Sequence, residues 1–109
     1  DLEEVPSGEL PCRFAVAFPI PRPLSEMRPP FVVLDDLGSA LNVGQIVRSA
    51  SLLGITSFVV SRASWSALNG RASCASDGLI YSADFHLAED LSAALCQLRE
   101  MGTRLYAAE

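Results

Sequence analysis

Asn42, Gly44 and Arg48 are the residues of this 109-residue chain whose types and spacing carry the most chemistry. They lie in the run Asp35-Asp-Leu-Gly-Ser-Ala-Leu-Asn-Val-Gly-Gln-Ile-Val-Arg48, which leaves an apolar tetrad, Phe31-Val-Val-Leu34, and enters a stretch of helical periodicity. Ligands of open α/β sheets bind outside the carboxyl ends of the strands, which is where this run sits. Arg48 is four residues after Gly44, so the two share one flank of a helix. Helical side chains lean toward the amino terminus, so the guanidinium is expected back over Gly44, at the mouth where the strand ends. A guanidinium is a planar, permanent cation, suited to orienting a reactant, stabilising developing negative charge and gripping an anion with two donors. A solvated surface arginine beside an ordinary helix cap fits the same spacing.

Other candidates read as structural. Asp35 and Asp36 are paired carboxylates at a strand end, open to metal or acid–base work, though loop solvation and turn-forming hydrogen bonds explain them. His86 is the only histidine, and one histidine makes neither a triad nor a metal site. Trp65 suits packing on a sheet, with stacking on a base as the alternative. The serine-rich stretch from Ser61 to Ser76 has no Gly-x-Ser-x-Gly elbow. Cys12, Cys74 and Cys96 have no Cys-x-x-Cys spacing, which argues against a zinc site or a disulfide framework and for a reducing compartment. Cys96 falls in an apolar helical pattern and is expected to be buried.

The elements that must position these residues follow from periodicity. Phe31–Leu34 reads as a buried strand. Asn42 reads as a helix N-cap with Gln45 as its capping-box partner, and Val43, Ile46, Val47, Ala50 and Leu53 form the apolar face of the helix. Leu52 points away from that face, and Gly54 stops the helix. Ile55–Val60 is a second strand. A weaker helix runs from Ser64 to about Ala75, interrupted at Asn69-Gly70, and Asp77-Gly78 marks a turn. A short third strand falls within Ile80–His86. Ala88–Met101 is a helix with Leu91, Ala94, Leu95 and Leu98 on one face, and Arg104–Ala108 is a last strand. The alternation implies right-handed crossovers and a parallel sheet containing residues 31–35, 56–60 and 103–107, with helices on both faces. The chain stops at Glu109, in or just after a strand, which reads as one part of a larger domain.

Composition bounds the function. Half the residues are hydrophobic and 19% are charged, which argues against intrinsic disorder. No apolar run is long enough to span a membrane. The formal charge is −5, all eight basic residues are arginine, and acids outnumber them both in residues 1–30 and in 31–109, so neither part supplies a basic patch of the kind a self-sufficient nucleic-acid-binding module carries. All seven prolines lie within residues 1–30. That stretch reads as a proline-rich leader or linker with little regular structure, lying along a domain at 31–109. There is no Gly-x-Gly-x-x-Gly after the first strand and no Walker string, which disfavours dinucleotide and nucleoside triphosphate folds.

Leu34-Asp35-Asp36 followed by Asn42-x-Gly44-x-x-x-Arg48-Ser49-Ala50 resembles the first motif of the SpoU/TrmH family, RNA ribose 2′-O-methyltransferases of the SPOUT superfamily. Ser76-Asp77-Gly78 resembles the Ser-x-Gly segment that follows the family's second strand. The resemblance covers about residues 31–109. It implies a Rossmann-like domain whose carboxyl third is a trefoil knot, with S-adenosylmethionine held by the knot loops. The glycine-and-glutamate and serine-and-asparagine motifs of those loops do not occur in this sequence. Cofactor-binding residues are therefore unassigned, and these 109 residues alone are expected to be inactive.

By the same resemblance, Arg48 and Asn42 are the catalytic residues. Arg48 would orient or deprotonate the ribose hydroxyl, Asn42 would brace the site, and Gly44 and Ser49 would lie on the substrate side. An arginine base is awkward, because a free guanidinium gives up its proton only far above physiological pH. Orientation and charge stabilisation are easier roles, with a substrate phosphate as a bidentate partner. The partners implied are tRNA or rRNA and a second copy or a related subunit, with no metal and no membrane, in the cytoplasm or an organelle. A noncatalytic RNA-binding or ribosome-assembly subunit that keeps the scaffold is the alternative.

Overall fold

The computed structural model describes residues 2–4, 15–17 and 19–108. Among them, β1 (Leu2–Glu4) and β2 (Ala15–Ala17) pair antiparallel, so the leader holds a short ladder that its prolines do not announce. The rest of the fold is built on β3 (Phe31–Leu34), β4 (Ser57–Ser61) and β5 (Asp84–Ala88), hydrogen-bonded in the order β3-β4-β5 and parallel throughout. The register sets Phe31 beside Ser57 and Phe58 beside Phe85, whose rings stack with centroids 5.2 Å apart.

Strand alternation sends side chains to two layers. Leu34, Phe58, Val60 and Phe85 join Val43, Val47 and Ala50 of α1 (Ala40–Leu52), together with Ala67, Leu68 and Ile80. On the opposite face, Val59 and Ala88 pack with Ala94 and Leu98 of α4 (Leu91–Glu100) and with Leu24 and Met27 from before the first strand of the sheet. Helices therefore cover both faces, and all five β4 residues are buried between them.

The boundaries are set by capping chemistry. The first helix begins two residues before the expected cap. Ser39 takes the N-cap position and its hydroxyl accepts from the Asn42 N–H at 3.3 Å, so Asn42 is a helical residue and Gln45 no capping partner. Gly54, at φ 84°, ends the helix as expected, but Leu53 at the C-cap is 80% exposed and is not part of the apolar face. The single weak helix is instead two, α2 (Arg62–Trp65) and α3 (Gly70–Ala75), because the Asn69 side chain caps a new start by accepting from the Arg71 and Ala72 N–H groups. A 3-10 turn over Leu79–Ser82 moves the third strand later than expected, and the Asp90 cap delays the start of α4.

Residues 103–108 form no strand. A strand requires a hydrogen-bonding edge, and this segment has none among the described residues, leaving Tyr106 86% exposed. The third member of the sheet is 84–88. Cys96 is exposed rather than buried, since it lies beside the stripe formed by Leu91, Ala94, Leu95 and Leu98 and not on it.

Residues 19–27 act as a strap along β5. Pro21 bridges Phe85 in parallel, the Arg22 N–H donates to the Phe85 carbonyl at 2.7 Å, and Arg22 Nε lies 3.3 Å from Asp84. His86 Nδ1 donates to the Arg22 carbonyl at 2.7 Å, which gives the one histidine a structural task. Leu24, in a 3-10 turn, and Met27 anchor the strap in the α4-side core.

Candidate active site

The loop from β3 to α1 is tied to the end of β4 by two serine hydroxyls. Asp36, in a left-handed conformation at φ 51°, donates its N–H to Ser61 Oγ at 3.0 Å. The Leu37 N–H reaches Ser64 Oγ at 2.7 Å, and the Ser61 hydroxyl donates to Ser64 Oγ at 3.1 Å. Both serines are buried, at 7% and 0% exposure. These two residues of the serine-rich stretch fix the entrance to α1. Sequence spacing gave no signal for them, because the contacts span 25 and 27 residues. The carboxylates of Asp35 and Asp36 are on exposed residues, and among the described residues no group of three or more His, Cys, Asp and Glu forms a metal cluster. Trp65 is half-buried against the α1-side core, as its packing reading required.

Arg48 reaches to the α3 side of α1, the side on which Gly44 meets Ala72 and Ala75. Its Nε donates to Asp77 Oδ2 at 2.9 Å, across 29 residues of sequence. The side chains of this pair are 51% and 71% exposed. Gly44 is buried, and the reason is the neighbouring helix. A Cβ at this position would stand 2.6 Å from Ala75 Cβ and 2.7 Å from the Ala72 carbonyl oxygen. The missing side chain lets α3 close onto α1, and the turn after α3 carries Asp77 to Arg48.

Asn42 and Ser49 occupy a different flank. With Gln45 they edge a groove of about 530 Å³ whose other walls are Val32, Leu37, Ile46, Ala50, Leu53 and Ile55. Six residues separate Asn42 from Arg48, which at 3.6 residues per turn sets them about 120° apart around the helix. Both residues are exposed, so α1 presents two polar edges, a guanidinium on the α3 side and an amide with a hydroxyl on the groove side. Leu41, at 56%, and Leu52, at 69%, are exposed on the same helix.

Asp77 was visible in the sequence as a turn residue before Gly78 and as the middle of Ser76-Asp77-Gly78. Its pairing with Arg48 is a property of the folded chain. The guanidinium it holds spends one of five N–H donors, and the terminal nitrogens have no other hydrogen bond among the described residues. What the arrangement can do is grip an anionic oxygen with the outer edge of a cation whose inner edge is already fixed.

Comparison with known sequences adds the family. Residues 29–109 match the SpoU rRNA Methylase family, a span that takes in the whole parallel sheet and all four helices. No curated protein matches the chain.

Proposed function

Since the chain belongs to the SpoU rRNA Methylase family, an RNA methyltransferase family, we propose that it serves S-adenosylmethionine-dependent methylation of a ribose 2′-hydroxyl in tRNA or rRNA. The observation that carries this reading is Arg48, a half-exposed guanidinium held, among the described residues, by Nε alone. Its outer nitrogens are available to a backbone phosphate beside the target ribose, and they stabilise negative charge as the hydroxyl oxygen becomes a nucleophile. Guanidinium is a poor base, so in this reading Arg48 orients and stabilises rather than removes the proton. Asn42 and Ser49 are the polar groups available to ribose or phosphate on the groove side. Gly44 acts indirectly, by admitting α3.

The groove beside Asn42 has no charged side chain in its wall to meet an amino-acid end or a sulfonium. No step is therefore assigned to contacts with the cofactor. The exposed Leu41 and Leu52 suit a subunit contact, and a homodimer or related heterodimer belongs to the same proposal.

The test is methyl transfer to RNA by the full-length protein. Arg48→Ala is expected to lose about 100- to 1,000-fold in rate, the range for removing one preorganised electrostatic contact, with S-adenosylmethionine affinity unchanged. Arg48→Lys is expected to recover little, because an ammonium lacks the planar fork. Near-normal turnover in Arg48→Ala would overturn the assignment.

A further inference from the structure

Asp77 stands where a glycine would be at ease. It follows the Ser76 cap of α3 with φ 54°, in the left-handed region that side chains disfavour, and Gly78 follows at φ 79°. The turn is closed by other groups. The Gly78 N–H donates to the Ser73 carbonyl at 2.8 Å and the Asp77 N–H to the Cys74 carbonyl at 3.1 Å, the paired bonds of a Schellman ending. The fully buried Ser76 hydroxyl donates to the Ser73 carbonyl and accepts from the Ile80 N–H. None of these contacts uses the aspartate side chain. Nor does stability explain it, since an ion pair as exposed as this one contributes little.

Among the described residues the carboxylate bonds only Arg48 Nε, the inner edge of the guanidinium. A partner on Nη1 or Nη2 would consume the fork that grips an anion. A partner on Nε instead fixes the plane and leaves the fork facing out. The geometry points to Asp77 as a positioning residue that sets the guanidinium of Arg48 in advance for a phosphodiester oxygen of the RNA substrate. This inference rests on the reading of Arg48 given above. Orientation fixed before binding lowers the conformational entropy lost when substrate arrives.

Asp77→Gly separates this role from a structural one, because glycine suits the left-handed turn while removing the carboxylate. Its thermal midpoint is expected to equal or exceed that of the wild type. In side-chain ¹H–¹⁵N spectra of the 109-residue chain, the Arg48 Nε–H resonance is assigned by its loss in Arg48→Lys. It is expected to exchange slowly with water in the wild type and rapidly in Asp77→Gly. Asp77→Asn, which keeps an acceptor without the charge, is expected to fall between. In methyl transfer by the full-length protein, Asp77→Gly is expected to lower kcat/KM by about 10- to 100-fold. Added to Arg48→Ala, it should cause no further loss. Equal Nε–H exchange in wild type and Asp77→Gly overturns the positioning role, whatever the activity. Full turnover in Asp77→Gly alongside a crippled Arg48→Ala overturns it as well. Failure of the functional reading looks different: a wild type that transfers no methyl group while its Arg48 Nε–H remains protected.

Discussion

Gly44 and Ala75 meet across the α1–α3 contact so closely that the glycine has no room for even a methyl group, its virtual Cβ falling 2.6 Å from that of Ala75. The second obstruction, 2.7 Å away, is the backbone carbonyl of Ala72, which cannot rotate aside. The helices must separate if Gly44 gains a side chain, and the turn bearing Asp77 moves with α3.

Gly44→Ala is therefore expected to destabilise the fold by about 1–3 kcal/mol, the range for overpacking, despite the better helix propensity of alanine. Urea denaturation measures it through the midpoint. A stabilised Gly44→Ala would show that α3 does not pack as described.

Ser64→Ala is expected to cost about 1–3 kcal/mol, because it strands the Leu37 N–H without its acceptor in a half-buried loop. Hydrogen exchange should show the Leu37 amide losing protection while the β4 amides keep theirs. An unchanged Leu37 amide would mean that the hydroxyl does not hold the loop.

Leu24→Ala is expected to cost about 2–5 kcal/mol, as for a core leucine, although Leu24 lies before the matched span that begins at residue 29. Leu24 is 1% exposed, and the strap it anchors closes the outer edge of β5. Calorimetry checks the loss. A variant as stable as the wild type would show that residues 19–27 do not belong to the folded unit.

Arg22→Ala is expected to have a small effect, within about 1 kcal/mol, since it removes an exposed ion pair with Asp84 but keeps the backbone bond to Phe85. Arg22→Pro removes that N–H as well and is expected to cost more. Equal midpoints for the two variants would place the strap's attachment in its buried anchors alone.

The class of fold was legible along the chain, because period-2 and period-3.6 patterns report which faces are apolar before any contact is formed. Phe31–Leu34, the helix ending at Gly54 and the Leu91–Leu98 stripe were legible on that ground. So was the family motif at Asn42, Gly44 and Arg48, and the match over residues 29–109 agrees with it. Boundaries were less legible, because a cap is a competition among neighbouring polar side chains, which Ser39 won over Asn42. Arg104–Ala108 has the pattern of a strand but no edge to pair with among the described residues, and a pattern cannot supply a partner.

Tertiary structure alone decided how the site is put together. Periodicity places Arg48 on a flank of α1, but the direction of a long side chain depends on what stands beside it, and Asp77 arrives from 29 residues away. The buried serines under the β3–α1 loop and the strap on β5 are likewise contacts between distant segments. Local sequence encodes φ, ψ and the burial face. Which carboxylate meets which guanidinium depends on how closely two helices approach, and here that distance is set by the absence of a side chain at Gly44.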